Sequence, residues 1–237
     1  MEGINAWWEG VADERFWLGV TSRDGEGEVL SAPCDAGRRT SPSTLPLITH
    51  VKDGDVVFHF DEAQPGIVGW SIARGPARKE RLAWPELAQD PDLEGPALRL
   101  LPRWVTVLES TTSLHAAVPL DQIARVQWDM FPALRALEDA VGVPLHYPFA
   151  MGSPSHTHLL AGHVFKLPGL FVGWFPALAR VAELMRWSAT AHVDAIHRSG
   201  TRAAAVAASP DARIVPATAY APEAAAADPG AWSAPRS

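Results

Sequence analysis

Two groups of side chains in this sequence have the types and spacing to do chemistry. The denser is the run GSPSHTH, in which Ser153 and Ser155 precede or adjoin His156 and His158. On a strand, residues two apart face the same side, so both imidazoles would point together, and His163 would serve as a third ligand for a zinc-like ion. The plainer reading is an exposed polar loop between a helix and a strand, and on that reading no metal site is assigned. The second group lies between Arg15 and Gly75. It combines the aromatics Phe16, Trp17, Phe60 and Trp70 with the small polar groups Thr21, Ser22, His59 and Ser71. An aromatic wall with a few convergent hydrogen-bonding groups is what a planar ligand needs. Trp17 and Trp70 also read as core residues.

Catalytic signatures are missing. There is no G-x-S-x-G elbow, P-loop, G-x-G-x-x-G or H-E-x-x-H. His192 and His197, five residues apart, do not share a helix face. A Ser/His/Asp triad can be drawn on paper from the nine histidines, but no local spacing favours one set. The expectation is therefore a binding protein with no catalytic residue and no cofactor.

The elements that must position the second group are short strands. RFWLGVT (Arg15–Thr21) is aromatic and β-branched and runs into the turn-rich Ser22–Gly27; EVLSAP (Glu28–Pro33) is a second strand before the polar loop Cys34–Ser43. After the tight turn KDGD (Lys52–Asp55), VVFHF (Val56–Phe60) is apolar with little alternation, as a strand buried on both faces would be. GIVGWSIA (Gly66–Ala73) follows a five-residue polar loop, so the two form a hairpin. Pro76–Pro102 reads as loop, and WVTVL (Trp104–Leu108) restores a strand. Leu120–Val141 then carries apolar residues three or four apart, with Asp121 in its first turn, Pro132 predicting a kink or restart, and Gly142 and Pro144 as the stop. GHVFKLP (Gly162–Pro168) is a returning strand. Pro168–Met185 is a second helix interrupted near Pro176, and Ala191–Ala208 a third.

These elements predict an α+β fold: a small β-barrel with flanking helices and a helical C-terminal extension. The expected organisation is an N-terminal extension (1–14), the barrel domain (15–180, including the helix 120–141), a helical extension (181–208) and an Ala/Pro-rich disordered tail (209–237).

Composition narrows the partners. Among 237 residues there is one cysteine, Cys34, so no intramolecular disulfide forms. Met1–Gly10 has neither a basic nor an apolar signal region, and Val164–Val181 is interrupted by Lys166, Pro168, Pro176 and Arg180, so neither a leader nor a membrane span is expected. A cytoplasmic protein with no membrane partner follows. A net charge of −7 disfavours broad phosphate-driven nucleic-acid binding. Arg74, Arg78, Lys79 and Arg81 are nevertheless clustered, either as a local basic rim or as a solvated loop containing Glu80.

The order FWLGVT, GEVLSAP, LITHVKDGDVVFHF, GIVGWSIARG resembles the EVE domains of the PUA-like superfamily, over roughly Arg15 to Leu178. Gly54–Phe60 is similar to the family's GD-x-hydrophobic-hydrophobic-F-x-aromatic strand, Ile67–Trp70 to its I-x-G-hydrophobic strand, and GHVFKLP looks like its closing strand. The resemblance implies a non-catalytic reader of a possibly modified nucleobase, held by stacking and edge hydrogen bonds at the barrel mouth. Its lining would be Trp17, Thr21, Ser22, Ser31, His59, Phe60, Trp70 and Ser71. Ser31 stands where relatives commonly carry a tryptophan, and Ser41–Pro46 lacks the aromatics often found there. A defence or regulatory role, with nucleic acid carrying a modified base as ligand, is implied. Bacterial relatives are often fused to an HNH nuclease; no such module follows here, so a nuclease or helicase would be a separate subunit. The alternative is an interaction or scaffold protein with a degenerate pocket, and behind it the metal-dependent hydrolase built on His156, His158 and His163.

Overall fold

The fold follows from one strand that is buried on both sides. In Val56–Asp61 (β3) every residue but the last is buried, and alternate side chains enter two separate cores. The computed structural model describes residues 5–20, 28–34, 47–83, 100–150 and 157–186. All of these lie within the unit Met1–Ser188. The third helix and tail expected beyond it fall outside the described residues.

Phe16–Val20 (β1), Val29–Pro33 (β2), β3, Gly66–Ala83 (β4), Leu100–Pro119 (β5) and Val164–Leu167 (β6) form one six-stranded sheet in the order β2-β5-β4-β3-β1-β6. Only β1 and β3 run parallel; the other pairs are antiparallel. A parallel pair needs a long crossover, and here the crossover contains β2, carried to the far edge, and the 3₁₀ turn Leu47–His50. The sheet curls. Although β2 and β1 lie far apart in strand order, Leu30 Cδ1 occupies the space that a Cβ on Gly19 would fill, 2.6 Å away. The result is the expected α+β barrel-like sheet with helices on one side.

The inner face is lined by Trp17, Leu30, Ala32, Val57, Ala73 and Leu108, and it is plugged by Trp8, Leu47, Ile48 and Val51. The outer face carries Phe16, Leu18, Phe58, Phe60 and Ile67 beneath two helices, Leu120–Val141 (α1) and Gly169–Trp174 (α2). In α1, Ile123, Gln127, Met130 and Leu134 are buried at the three- and four-residue spacing read from sequence. The helix runs unbroken through Pro132. It stops at Gly142, whose φ of 71° is the left-handed C-cap geometry, its N–H bonding the Glu138 carbonyl. After α2, the chain is non-helical at Phe175 and helical again over 176–186, so the break expected at Pro176 is present.

The reading of Pro76–Pro102 as loop needs correction. β4 continues to Ala83 and β5 begins at Leu100, pairing Arg78 with Val105 and Ala83 with Leu100. Beyond Ala73, β5 is the one strand paired with β4 among the described residues, and Arg74, Arg78, Lys79 and Arg81 are exposed. In β4 no residue from Arg74 to Arg81 is buried, so the apolar alternation that reveals strands is absent there. Gly75, at φ 78°, and a register shift between Arg74 and Arg78 accommodate Pro76. β5 likewise runs on past Leu108 to Pro119 through ESTTSLHAAVP, where Leu114 and Val118 are buried. No helix among the described residues is long and apolar enough to cross a membrane.

Candidate functional site

Two polar places on the inner face of the barrel are built around groups that are costly to bury without partners. The first is His59. On its row of the sheet it is paired with Gly19 of β1 and Gly69 of β4, so no side chain flanks the imidazole on either neighbouring strand. A Cβ at Gly69 would sit 3.0 Å from the Thr112 carbonyl oxygen and 3.8 Å from His59 Cδ2, so the close approach of the β5 backbone favours glycine there. His59 is 4% exposed. Its Nε2 lies 2.6 Å from Ser71 Oγ, and Ser71 Oγ lies 3.0 Å from Thr111 Oγ1, giving a chain that leads from the buried ring to an exposed hydroxyl.

Burial holds the His59 pKa down to about 4, so the ring is neutral at pH 7. A neutral imidazole has one donor nitrogen and one acceptor nitrogen, and each hydroxyl both donates and accepts. The chain can therefore run in either direction. If Ser71 donates to Nε2, Nδ1 carries the proton and donates; if Nε2 donates to Ser71, Nδ1 accepts. Such a group suits a ligand edge rich in both kinds of hydrogen-bonding atom.

The second polar place is a clamp. Asp55, 4% exposed, accepts hydrogen bonds from Trp17 Nε1 (2.8 Å), Arg15 Nε (2.9 Å) and the Lys52 amide (2.9 Å). Lys166 is fully buried, and its Nζ donates to Glu14 Oε2 (2.9 Å), the Phe16 carbonyl (3.1 Å) and the Leu167 carbonyl (2.7 Å). Those three bonds use all three ammonium protons. The ammonium also lies 5.4 Å from the Trp7 ring centroid and 5.7 Å from that of Trp17. Burial lowers its pKa to about 8, against the opposing pull of Glu14, so it remains mostly charged at pH 7. Glu14 also accepts from the Gly169 amide, which ties the start of α2 to β1 and β6. This clamp holds the floor of the barrel; His59 belongs to its other, more polar end.

The residues expected to line one pocket lie on different faces. Trp17, His59 and Ser71 are on the inner face. Phe60 is in the core beneath the helices, and Trp70, paired with Phe58, packs against that same core. The register therefore puts His59 and Trp70 on opposite faces. Ser31 is 1% exposed, and strand alternation directs it away from the side of Leu30 and Ala32. Thr21 and Ser22, next in the chain after β1, lie outside the described residues.

Of the basic group, Arg74 pairs with Glu109 and Arg78 with Glu80, while Lys79 lies 4.9 Å from the Trp104 ring centroid. Arg81 is exposed. All four are on the β4–β5 ribbon. His158 is exposed, and His156 lies outside the described residues; among the described residues no three His, Cys, Asp or Glu side chains gather as metal ligands.

Sequence reasoning missed Gly19, Gly69, Thr111, Asp55 and Lys166. Lys166 had a signal, a lone cation inside the apolar run VFKL. The two glycines are visible only once the register is known.

No protein-family model matches the chain, and no curated protein matches it. Among solved structures it is similar to a structural-genomics protein from Pseudomonas syringae, with 14% identity over 72% of this chain and 99% of the other, at a TM-score of 0.35. It is similar to human thymocyte nuclear protein 1 solved with DNA containing 5-methylcytosine, with 14% identity over 72% of this chain and 96% of the other, at a TM-score of 0.31. The N-terminal domain of Staphylothermus marinus McrB matches with 12% identity over 48% of this chain and 81% of that domain, at a TM-score of 0.28. At these scores the likenesses carry no functional weight.

Proposed function

We propose that the chain is a non-catalytic, EVE-like reader of a nucleobase in nucleic acid, with His59 at the centre of the reading edge. The observation that carries this is the neutral imidazole set between two glycines and wired through Ser71 to Thr111. A flipped base offers adjacent donors and acceptors along one edge, and a reversible His–Ser–Thr chain can answer either kind.

The β4–β5 ribbon supplies the electrostatics. Arg74 and Arg78 are already paired with carboxylates, which leaves Lys79 and Arg81 as the side chains that track the phosphate backbone. With two such contacts, binding is weak and salt-sensitive. The K79A/R81A double variant should weaken all oligonucleotides alike and lower the slope of log K against log[salt] by up to about 2. In the cell, a separate nuclease or helicase subunit would act on what this chain recognises.

The same His59–Ser71 pair resembles a base and its nucleophile. A histidine with a pKa of about 4, however, is a weak general base at neutral pH. Reading suits the geometry better than attack. A scaffold whose pocket has closed is the second reading, favoured by one feature: Leu30 fills the space beside Gly19.

The test is an anisotropy titration at low salt with DNA and RNA oligonucleotides carrying cytosine, 5-methylcytosine or 5-hydroxymethylcytosine, for the wild type and S71A. The reader shows a preference within the set that S71A reduces about tenfold, as the loss of a buried hydrogen-bonded partner implies. Equal or undetectable binding across the set would leave the scaffold.

A further inference from the structure

In the structure His59 is 4% exposed, so a ligand reaches its ring only after something moves. What must move is set by the row on which His59 stands. Gly19 and Gly69, its partners on β1 and β4, leave the inner face there without a side chain from either neighbouring strand. Glycine inside a strand costs stability and marks a place that another group approaches closely. On the Gly69 side that group is main chain: the Thr112 carbonyl oxygen lies 3.0 Å from where a Cβ would stand. On the Gly19 side it is the far end of a side chain, Leu30 Cδ1 at 2.6 Å, with Val57 Cγ1 behind it at 3.4 Å. One wall of the row is therefore fixed by the β4–β5 ladder, and the other is a methyl group.

Leu30 is 1% exposed and reaches the row across the curl of the sheet, from β2 at the far end of the strand order. β2 is five residues long, and its one ladder among the described residues is with β5. A short edge strand, bonded on one side, is among the parts of a sheet that open most readily. A leucine tip exchanges between staggered rotamers without any change in the backbone.

We propose that Leu30 gates the His59 site: with its tip over Gly19 the row is shut, and when the tip swings out, carried by β2, the row admits the edge of a flat ring to the imidazole. This gate presupposes that His59 is the group that meets the ligand, and it gives Leu30 no contact with the bound ligand. The affinity of the site is then that of the open row multiplied by the fraction of time the row is open.

Opening can be read without any ligand. Diethyl pyrocarbonate acylates a neutral imidazole that it can reach, and peptide mass spectrometry of the full chain gives the rate at each histidine, with the exposed His115 on β5 as internal standard. In the wild type His59 reacts slowly relative to His115, at a rate that does not rise with urea below the unfolding transition, because the motion exposes little surface. L30A speeds the reaction at His59 about tenfold or more with His115 unchanged, and it tightens the oligonucleotide preferred in the anisotropy series by the same factor. I123A, a truncation in the outer core beneath α1, controls for general loosening and leaves His59 slow. If L30A does not fold, L30V removes the same Cδ1 methyl with a smaller cavity. Equal rates at His59 in the wild type and the Leu30 variant, equal acceleration in I123A, or a wild-type rate that climbs with urea would each overturn the gate. The base reading fails separately: if L30A accelerates labelling but no cytosine, 5-methylcytosine or 5-hydroxymethylcytosine oligonucleotide protects His59 from the reagent, the gate stands over a site for another ligand.

Discussion

If the sheet curls enough to place β2 against β1, Gly19 and Leu30 must be energetically coupled. The G19A substitution places a Cβ 2.6 Å from Leu30 Cδ1 and 3.4 Å from Val57 Cγ1. Carbon atoms prefer separations of about 3.5–4.0 Å, so about 1 Å must be found in a packed interior, at an overpacking cost of about 1–3 kcal/mol. Replacing glycine also stiffens the unfolded chain, which returns about 0.4–1 kcal/mol. G19A alone should therefore destabilise by about 0–2.5 kcal/mol. Leu30 is 1% exposed, and L30A should cost about 2–5 kcal/mol through lost burial and a cavity. In the double variant the new methyl enters the vacated space, so the sum should overstate the loss by about 1–3 kcal/mol. Urea unfolding of all four proteins, followed by the fluorescence of the ten tryptophans, reads this coupling. Additivity within about 0.5 kcal/mol would mean that the residues do not touch. It would refute the curl of the sheet on which the His59 site depends.

Further predictions follow from the buried charges. His59 keeps a neutral ring down to about pH 4 when folded, whereas the unfolded chain takes up that proton near 6.5. Between those values the unfolded state binds more protons, so stability falls as pH falls, by about 3 kcal/mol in total. An H59Q variant should lack that component in urea titrations at pH 6.5 and 4.5. For Lys166, K166A strands the Glu14 carboxylate and two carbonyls and should cost about 3–5 kcal/mol. The neutral pair E14Q/K166M should recover a substantial part of that loss in the same assay.

How much of this was legible in the sequence depended on burial. The elements with a face to bury announced themselves: the RFWLGVT strand, the doubly buried VVFHF strand, the α1 periodicity from Ile123 to Leu134, and the break at Pro176. The β4 segment from Arg74 to Arg81, where no residue is buried, did not, because hydrophobic periodicity reports only on what is hidden. The site was half legible. His59 and Ser71 were picked out by type and do meet, 2.6 Å apart. Phe60 and Trp70 were grouped with them because single strands do not reveal which face pairs with which. The bulge between His59 and Phe60 and the pairing of Phe58 with Trp70 decide that matter, and both depend on contacts between strands. Thr111, 40 residues from Ser71 in sequence, carried no local signal at all.

The central claim is that His59 touches the base. With histidine labelled in its ring nitrogens, NMR of the free protein should show a neutral His59 across pH 5–8, with Nε2 shifted by its bond to Ser71. Adding the oligonucleotide preferred in the titration should move the Nδ1 resonance of His59, and the unmodified oligonucleotide should move it less. Tight binding of either oligonucleotide with the His59 nitrogen resonances unchanged would contradict the account.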